Sequence, residues 1–449
     1  AQRERGRAAT SFSTNLGQKV HVSEPVEFIG YDNLDGPAEV IAVFNEQGDA
    51  VAQLQSGEAG IVVTDKTPFY AESGGQVGDI GRIVGDAFEF HVTDTQVSAA
   101  QHLHIGTVVT GGIEPGSSGV AAVAAIERDR TRANHSATHL LHAALRSVLG
   151  PHVQQKGSLV NAEKLRFDFS HEGGVSREQL AQIEDQVCEQ IRGNSAVDTQ
   201  LMPFEEAVAS GAMALFGEKY ADEVRVLTMG SGYSVELCGG THVQRTGDIG
   251  GFKIQFETGI AAGVRRIEAV TGQAAVDHSR ALEQRLFMAS EQLKTNPAEL
   301  VDRILHVVGE NKALAKEIEA LNQKVATAQS SDLGAAMEDI NGVAVLVASV
   351  QGDSKTVMQT LDTLRSKTAD DSVFVLANVA DGKVGLVVAV SKALSVRIAA
   401  PDLLNSIGPL VGAKGGGRPD LARAGGGNNP DGIEALVAAA KEWLQERLN

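Results

Sequence analysis

His135-Ser136-Ala137-Thr138-His139-Leu140-Leu141-His142 and, far downstream, Cys238-Gly239-Gly240-Thr241-His242 are the stretches on which the reading of this chain turns. The first sits in an apolar-periodic run, residues 133–149, that predicts a helix closed by Gly150-Pro151. Four residues apart on that helix, His135 and His139 project from one face. The second stretch adds a thiolate and a third imidazole, and its two glycines favour a tight turn that lets them converge. His135, His139, Cys238 and His242 make a borderline-soft tetrahedral set suited to one Zn2+ per chain. Singly, each half has an ordinary reading: a surface histidine pair, or a packed cysteine such as Cys188. Both halves together, in a chain with only two cysteines, favour the metal. His142, one turn beyond His139, is a competing donor, although three imidazoles along one helix converge poorly. Four protein ligands would close the tetrahedron, as structural sites do, whereas catalytic zinc keeps a position open. Either one donor yields to water or substrate, or the metal mainly shapes the pocket.

Outward from these motifs the pattern changes repeatedly. Residues 1–20 read as a helical tail. Residues 21–116 carry short β-rich runs, 38–44 and 60–63 among them, punctuated by Gly, Asp and Asn, the signature of a small barrel or sandwich, here taken as a β-barrel subdomain. Residues 117–272 mix helices and strands around the metal motifs. Residues 273–330 are helical: Asn296 with Pro297 and Glu299 signals a helix start. From there Leu300, Val307, Leu314 and Leu321 recur in heptads, interleaved with Ile304, Asn311, Ile318 and Val325. That seam can pair with the preceding helix or with a second chain to form a homodimer. Residues 331–449 predict an α/β unit with strands at 343–350, 373–379 and 384–390 and helices near 355–366 and 430–448. Within it, Gly415-Gly416-Gly417-Arg418-Pro419-Asp420 and Gly425-Gly426-Gly427 read on composition as glycine turns. The fold class expected is a multidomain α+β protein, part β-barrel and part α/β.

Composition narrows the function. The 449 residues suit about three domains at roughly 150 residues each. Hydrophobic content of 43% supports ordinary cores, and no apolar run reaches the roughly 18 residues of a membrane span. The charged start, Ala1-Gln2-Arg3-Glu4-Arg5, is no secretory signal, and its lack of an initiator methionine points to a fragment or processed chain. Two cysteines exclude a disulfide scaffold and suit a reduced, cytoplasmic setting. A net charge of −18 argues against a generic nucleic-acid binder. Between residues 126 and 166 the balance reverses, with Arg128, Arg130, Arg132, Arg146, Lys156, Lys164 and Arg166 against Glu127, Asp129 and Glu163; this is a solvated helix surface or a basic patch. No His-Glu-x-x-His, nucleophile elbow or phosphate loop occurs.

At this point the motifs resemble one family. The 135–142 stretch looks like the editing motif of alanyl-tRNA synthetases and their free-standing deacylase relatives, and the 238–242 stretch matches the other half of that site. Phe69-Tyr70-Ala71-Glu72-Ser73-Gly74-Gly75-Gln76-Val77-Gly78-Asp79 is similar to the family's barrel motif. Gly263-Val264-Arg265-Arg266-Ile267-Glu268-Ala269 closes the editing region, and the 415–420 segment resembles the glycine-rich signature of the C-terminal domain. Nothing like the class II aminoacylation core is found, so alanine activation, with its ATP site, is expected of a longer parent and not of this chain.

The resemblance implies hydrolysis of the ester joining Ser or Gly to the terminal ribose of tRNA(Ala). It implies that Thr138, Gln155 and Ser158 contact the substrate, and that Arg265, Arg266, Lys414 and Arg418 contact tRNA phosphates. Bland roles compete: a hydroxyl returned to its helix for Thr138, ordinary strand positions for Gln155 and Ser158, and surface cations for the rest. The rival readings are a free-standing trans-editing deacylase, a non-catalytic tRNA-binding module with structural zinc, and a small-molecule metallohydrolase. Threonyl-tRNA synthetases share a related editing domain, but the C-terminal glycine motif does not suit them.

Overall fold

The computed structural model describes residues 20, 22, 24–98, 101–213, 221–368 and 371–448. The helical tail expected over residues 1–20 lies outside the described residues, save position 20. The chain divides into two compact units, 1–286 and 287–449.

In the first unit, β1 (Glu27–Phe28) pairs with β5 (Lys66–Thr67), and the other early strands build a barrel. These are β2 (Asp35–Asn45), β3 (Leu54–Gln55), β4 (Ala59–Thr64), β6 (Gly81–Gly85), β7 (Phe88–Ser98), β8 (Gln101–Ile113) and β9 (Ser118–Val123). Pairing runs β8-β4-β2-β9-β6-β7 and returns to β8, a closed six-stranded ring with β3 appended. Closure removes the free edges that invite aggregation. Alternate residues point inward, so Val40, Phe69, Ile83, Phe90, Val92 and Val108 fill the interior. The closing strand β9 lies past residue 116, where the sequence pattern put the end of the barrel; its alanines and glycine carry little strand preference.

Next, α1 (Ala125–Leu149) starts about two turns earlier than the apolar run predicted. Its apolar stripe, Leu140, Leu141 and Leu145, joins α2 (Arg177–Gly193) over an antiparallel sheet ordered β10-β11-β16-β15. Those strands are Gln155–Val160, Leu165–Ser170, Val264–Thr271 and Phe252–Ala261 respectively. A second sheet, β12 (Asp198–Pro203), β13 (Glu223–Met229) and β14 (Ser234–Leu237), leads into the cysteine motif. Between β12 and β13 lies the short helix α3 (Phe204–Ala209). A capping box starts α2, with Ser176 accepting from the Gln179 N–H. Helix α4 (Gly272–Gln292) follows β16.

The second unit opens with α5 (Leu300–Ala335), entered through Asn296, whose side chain accepts from the Glu299 N–H as predicted. The seam residues Ile304, Leu314, Ile318, Leu321 and Val325 are exposed along it. Its buried face, Ala326 and Ser330, turns toward α6 (Ser354–Lys367), and Lys355 pairs with Glu319 at 2.9 Å. A six-stranded sheet ordered β17-β18-β19-β20-β22-β21 forms the middle layer. Its strands are β17 (Glu338–Ile340), β18 (Val343–Ser349), β19 (Ser372–Ala380), β20 (Lys383–Val390), β21 (Lys414–Arg418) and β22 (Leu421–Gly427). Only β18 and β19 are parallel, joined by the α6 crossover. Helix α6 covers one face through Leu361 and Leu364. On the other face lie α7 (Ala400–Ile407) and α8 (Ile433–Leu448), packed through Leu403, Leu436 and Leu444. Burial on both faces explains the unbroken apolar runs of β19 and β20.

One expectation fails here. The glycine-rich segments are not turns: Lys414–Arg418 and Leu421–Gly427 are paired antiparallel strands. A Cβ at Gly415 would fall 1.9 Å from the Arg423 carbonyl oxygen, and one at Gly417 would fall 2.2 Å from that of Leu421. The glycines serve close backbone approach between strands, which composition does not distinguish from turning.

Candidate metal centre

Helix α1 brings His135 and His139 to the stretch after β14, where Cys238 and His242 stand. Their donor atoms all lie within 4.8 Å of one another. Cys238 Sγ is 3.6 Å from His135 Nε2 and 3.3 Å from His242 Nε2. Gly240 makes this approach feasible, because a Cβ there would fall 2.1 Å from His135 Cε1.

Each imidazole is oriented from behind. His135 Nδ1 is 2.8 Å from Gln76 Oε1, which also accepts from the Thr241 N–H, while the Gln76 amide nitrogen donates to Thr241 Oγ1. His139 Nδ1 is 2.8 Å from a carboxylate oxygen of Glu236. His242 Nδ1 is 3.2 Å from Ser136 Oγ, which accepts from the Val243 N–H. An amide oxygen and a carboxylate only accept, so the protons of His135 and His139 sit on Nδ1. In the neutral ring that leaves Nε2 with its lone pair toward the centre, the arrangement that outer partners impose on metal-binding histidines. His139 Nε2 is buried without a hydrogen-bond partner, an orphan that a cation would satisfy. The donor set therefore fits a zinc-type ion.

Electrostatics agree. Burial would raise the Cys238 thiol, but His135, His242 and His139 draw it well below its ordinary value. Burial would lower His139, yet Glu236 and Cys238 lift it to about 10. Burial pushes His242 down to about 3. Glu236 is held below the usual carboxylate range by His139 and His142 against the cost of its burial. Metal binding here would displace protons and so compete with them.

Beside the donors lies a cavity of about 70 Å3, lined by Thr138, Gln155, Ser158, Tyr70, His142 and Phe167 among others. It is large enough for a few waters or one small substituent. The three residues expected to touch substrate thus share one cavity next to the donors. Thr138 nevertheless donates to the Asn134 carbonyl at 2.9 Å, the bland role weighed for it, so its remaining capacity is as an acceptor. His142 is not a donor in the set; its Nδ1 is 3.1 Å from Glu236.

The expected phosphate contacts fare differently. Arg265 is gripped by Glu257, and Arg266 by Asp168 with Nη2 at 2.7 Å. Lys414 and Arg418 stand exposed on β21, Arg418 with Asp420 at 3.4 Å. The basic run 126–166 is not one face. Arg128 is fully buried, bonded to Asp79 and to the Gly30 and Pro68 carbonyls, and Lys164 pairs with Glu268.

Sequence reading missed Glu236 and Ser136, and saw Gln76 only as part of a motif. A carboxylate two residues before a ligating cysteine is a faint signal. The clue was available in His142, whose one-turn offset from His139 invites a shared acceptor.

Three family models match the chain. They are the tRNA synthetases class II (A) over residues 1–128, the threonyl and alanyl tRNA synthetase second additional domain over 224–268, and the DHHA1 domain over 342–446. Fold and site thus define a protein of the tRNA-synthetase class with a second additional domain around the Cys238 half of its candidate metal cluster. The class II (A) match takes in the barrel with its 69–79 motif, whereas the sequence reading looked for class II motifs only upstream of Ala1. The alanine–tRNA ligase of Saccharophagus degradans is 46% identical over 445 residues, 99% of this chain and 50% of that protein. That of Ralstonia nicotianae is 46% identical over 449 residues, 100% of this chain and 50% of that protein. The chain belongs to the alanyl-tRNA synthetase family and spans about half the length of the curated relatives it matches. Among solved structures, the C-Ala domain from Aquifex aeolicus alanyl-tRNA synthetase is 27% identical, with 24% of this chain and 97% of that one covered and a TM-score of 0.23.

Proposed function

We propose that this chain carries the editing activity of an alanyl-tRNA synthetase, hydrolysing the ester that joins Ser or Gly to the terminal ribose of tRNA(Ala). The observation that carries the reading is the oriented His135, His139, Cys238 and His242 set beside the small cavity of Thr138, Gln155 and Ser158. Bound there, one Zn2+ would supply a fixed positive charge that orients or polarises the ester end. Four protein donors favour the orienting role, since they leave no open position.

The remaining work falls to the chain's own residues. With its proton given to Asn134, Thr138 offers only lone pairs, so it accepts from the ammonium or from a serine hydroxyl. Alanine lacks that hydroxyl, so this contact separates Ser from Ala, while Gly is held by its ammonium alone. Gln155 and Ser158, on β10, hold the same substituent across the cavity. An ester is already activated, so positioned water and a held oxyanion suffice without a protein nucleophile.

The second unit binds tRNA backbone through Lys414 and Arg418. Arg265 and Arg266 rank behind them, because a phosphate would have to displace Glu257 or Asp168. The exposed seam of α5 serves a homodimer, and the setting is cytoplasmic. The functional divisions are the barrel, from 21 past the expected 116 through β9, then the editing domain to 272, helical segment 273–330 and tRNA-binding domain 331–449.

Deacylation of Ser-tRNA(Ala) and Ala-tRNA(Ala), with and without a zinc chelator, tests the reading. Rapid loss of serine alone, abolished by the chelator, is expected. Hydrolysis of neither, with tRNA still bound, would leave only a recognition module.

A further inference from the structure

Arg225, on β13, stands apart from the other arginines around the site. Arg128, Arg265 and Arg266 are each held by a carboxylate. Arg225 is held by a ring: its guanidinium carbon lies 3.4 Å over the centroid of Tyr31. Its Nε is buried with no hydrogen-bond partner, and its side chain makes no ion pair among the described residues. A buried Nε–H left without an acceptor is costly, and an anion at the guanidinium would complete it.

Its location says which anion. Arg225 lines a cleft of about 240 Å3 together with Leu237, Cys238 and Gly239. Those same three residues line the cavity beside the metal donors, so the Leu237-Cys238-Gly239 strip is a wall common to both spaces. Tyr31 ties the platform to that wall, donating from its hydroxyl to the Gly239 carbonyl at 2.8 Å. Phe28 packs edge-on against Tyr31, ring centroids 4.9 Å apart, which helps fix the ring. The nearest negative charge on a nucleotide ester seated in the metal cavity is a phosphodiester, and this cleft lies beyond the shared wall.

We propose that Arg225 is a substrate-positioning residue that binds a backbone phosphate at the 3′ end of the tRNA, held rigid for that contact by Tyr31. This rests on the deacylase reading of the neighbouring cavity. Planar guanidinium donors suit a phosphate bidentately, and the stacked ring reduces the ordering cost on binding. Glu223, exposed in the same cleft, opposes the anion and sets how tightly it is held.

Variants R225Q, R225K and E223Q of the whole chain test this, each checked for melting temperature and bound zinc. Two readouts are taken: binding of tRNA(Ala) against salt, and hydrolysis of Ser-tRNA(Ala) beside 2′(3′)-O-seryl-adenosine, which has no phosphodiester. R225Q should weaken tRNA binding about tenfold and flatten the log–log salt slope by about 0.7, one single-strand contact. Turnover of seryl-adenosine should stay unchanged, R225K should restore the slope, and E223Q should strengthen binding. Unaltered affinity and slope in R225Q with hydrolysis intact would overturn the Arg225 assignment alone. So would an equal loss on seryl-adenosine, which would place Arg225 at the ester or in the fold. An Arg225-dependent slope in a chain that hydrolyses neither ester would uphold the phosphate contact and sink the deacylase reading. Should R225Q melt early, E223Q, exposed and free to fold, decides by whether binding tightens.

Discussion

Glycine serves opposite ends in the two units. Before the metal centre, Gly240 leaves room for the His135 ring, so that side chains from distant elements meet at one point. In β21, Gly415 and Gly417 leave room for carbonyl oxygens of β22, so that two backbones meet and side chains stay away. The first arrangement concentrates chemistry: four donors, three outer partners and a cavity. The second produces an exposed ribbon whose contribution is shape and a few cations, Lys414 and Arg418. A glycine-rich motif therefore announces close approach, and the neighbours decide whether the approach makes a reactive site or a contact surface.

The sharpest way to break this contrast is to remove a donor. Cys238→Ala should abolish zinc binding, by metal analysis of the purified chain, and exceed by far the roughly 10–100-fold that losing an outer partner costs. Deacylation should fall with it. If the folded core melts as well, the ion is structural and the cavity is shaped by it. Glu236→Gln comes next. An amide keeps the shape but offers one accepting oxygen where the carboxylate offers two, and here those two receive His139 and His142. Zinc affinity should drop about 10–100-fold, read by competition with a chelating dye. Unchanged affinity would show that helix packing alone aims His139.

How much of this was legible follows from the range of the interactions. The four donors stand in two short motifs, because helical spacing and a glycine turn fix them locally, and the sequence reading named all four. Strands such as β2 and β4 were readable from their β-rich runs bounded by Gly, Asp and Asn, and the helix start at Asn296 from its cap. Glu236 was not readable, because its role exists only once β14 is docked against α1. Nor was the pairing of Asp79 with Arg128, which turns a supposedly solvated arginine into a buried clamp. The β21–β22 ribbon was misread as turns because the clash that requires glycine comes from the partner strand.

That misreading gives a smaller, more exact test. Gly415→Ala forces a methyl group against the Arg423 carbonyl and should cost about 1–3 kcal/mol of stability in the second unit, as overpacking does. Gly416 has no atom within 4 Å of the site a Cβ would take, so Gly416→Ala should change stability by no more than about 0.5 kcal/mol. Denaturant midpoints of the two variants separate the explanations. If both behave alike, glycine is present there for flexibility and not for strand contact.

The smallest effect probes the ribbon's cations. Lys414 and Arg418 are exposed, and Arg418 is only loosely paired with Asp420, so neither carries much folding energy. Lys414→Ala and Arg418→Ala should leave melting temperature, zinc content and turnover of a phosphate-free ester untouched. Each should weaken tRNA binding a few-fold and lower the salt slope by about 0.7–0.9, the signature of a single phosphate contact. A loss independent of salt would instead mean that the ribbon recognises tRNA through groups other than phosphate. The contrast between a unit that concentrates chemistry and one that supplies charged surface would then need redrawing, with the second unit reading its partner's shape or bases directly.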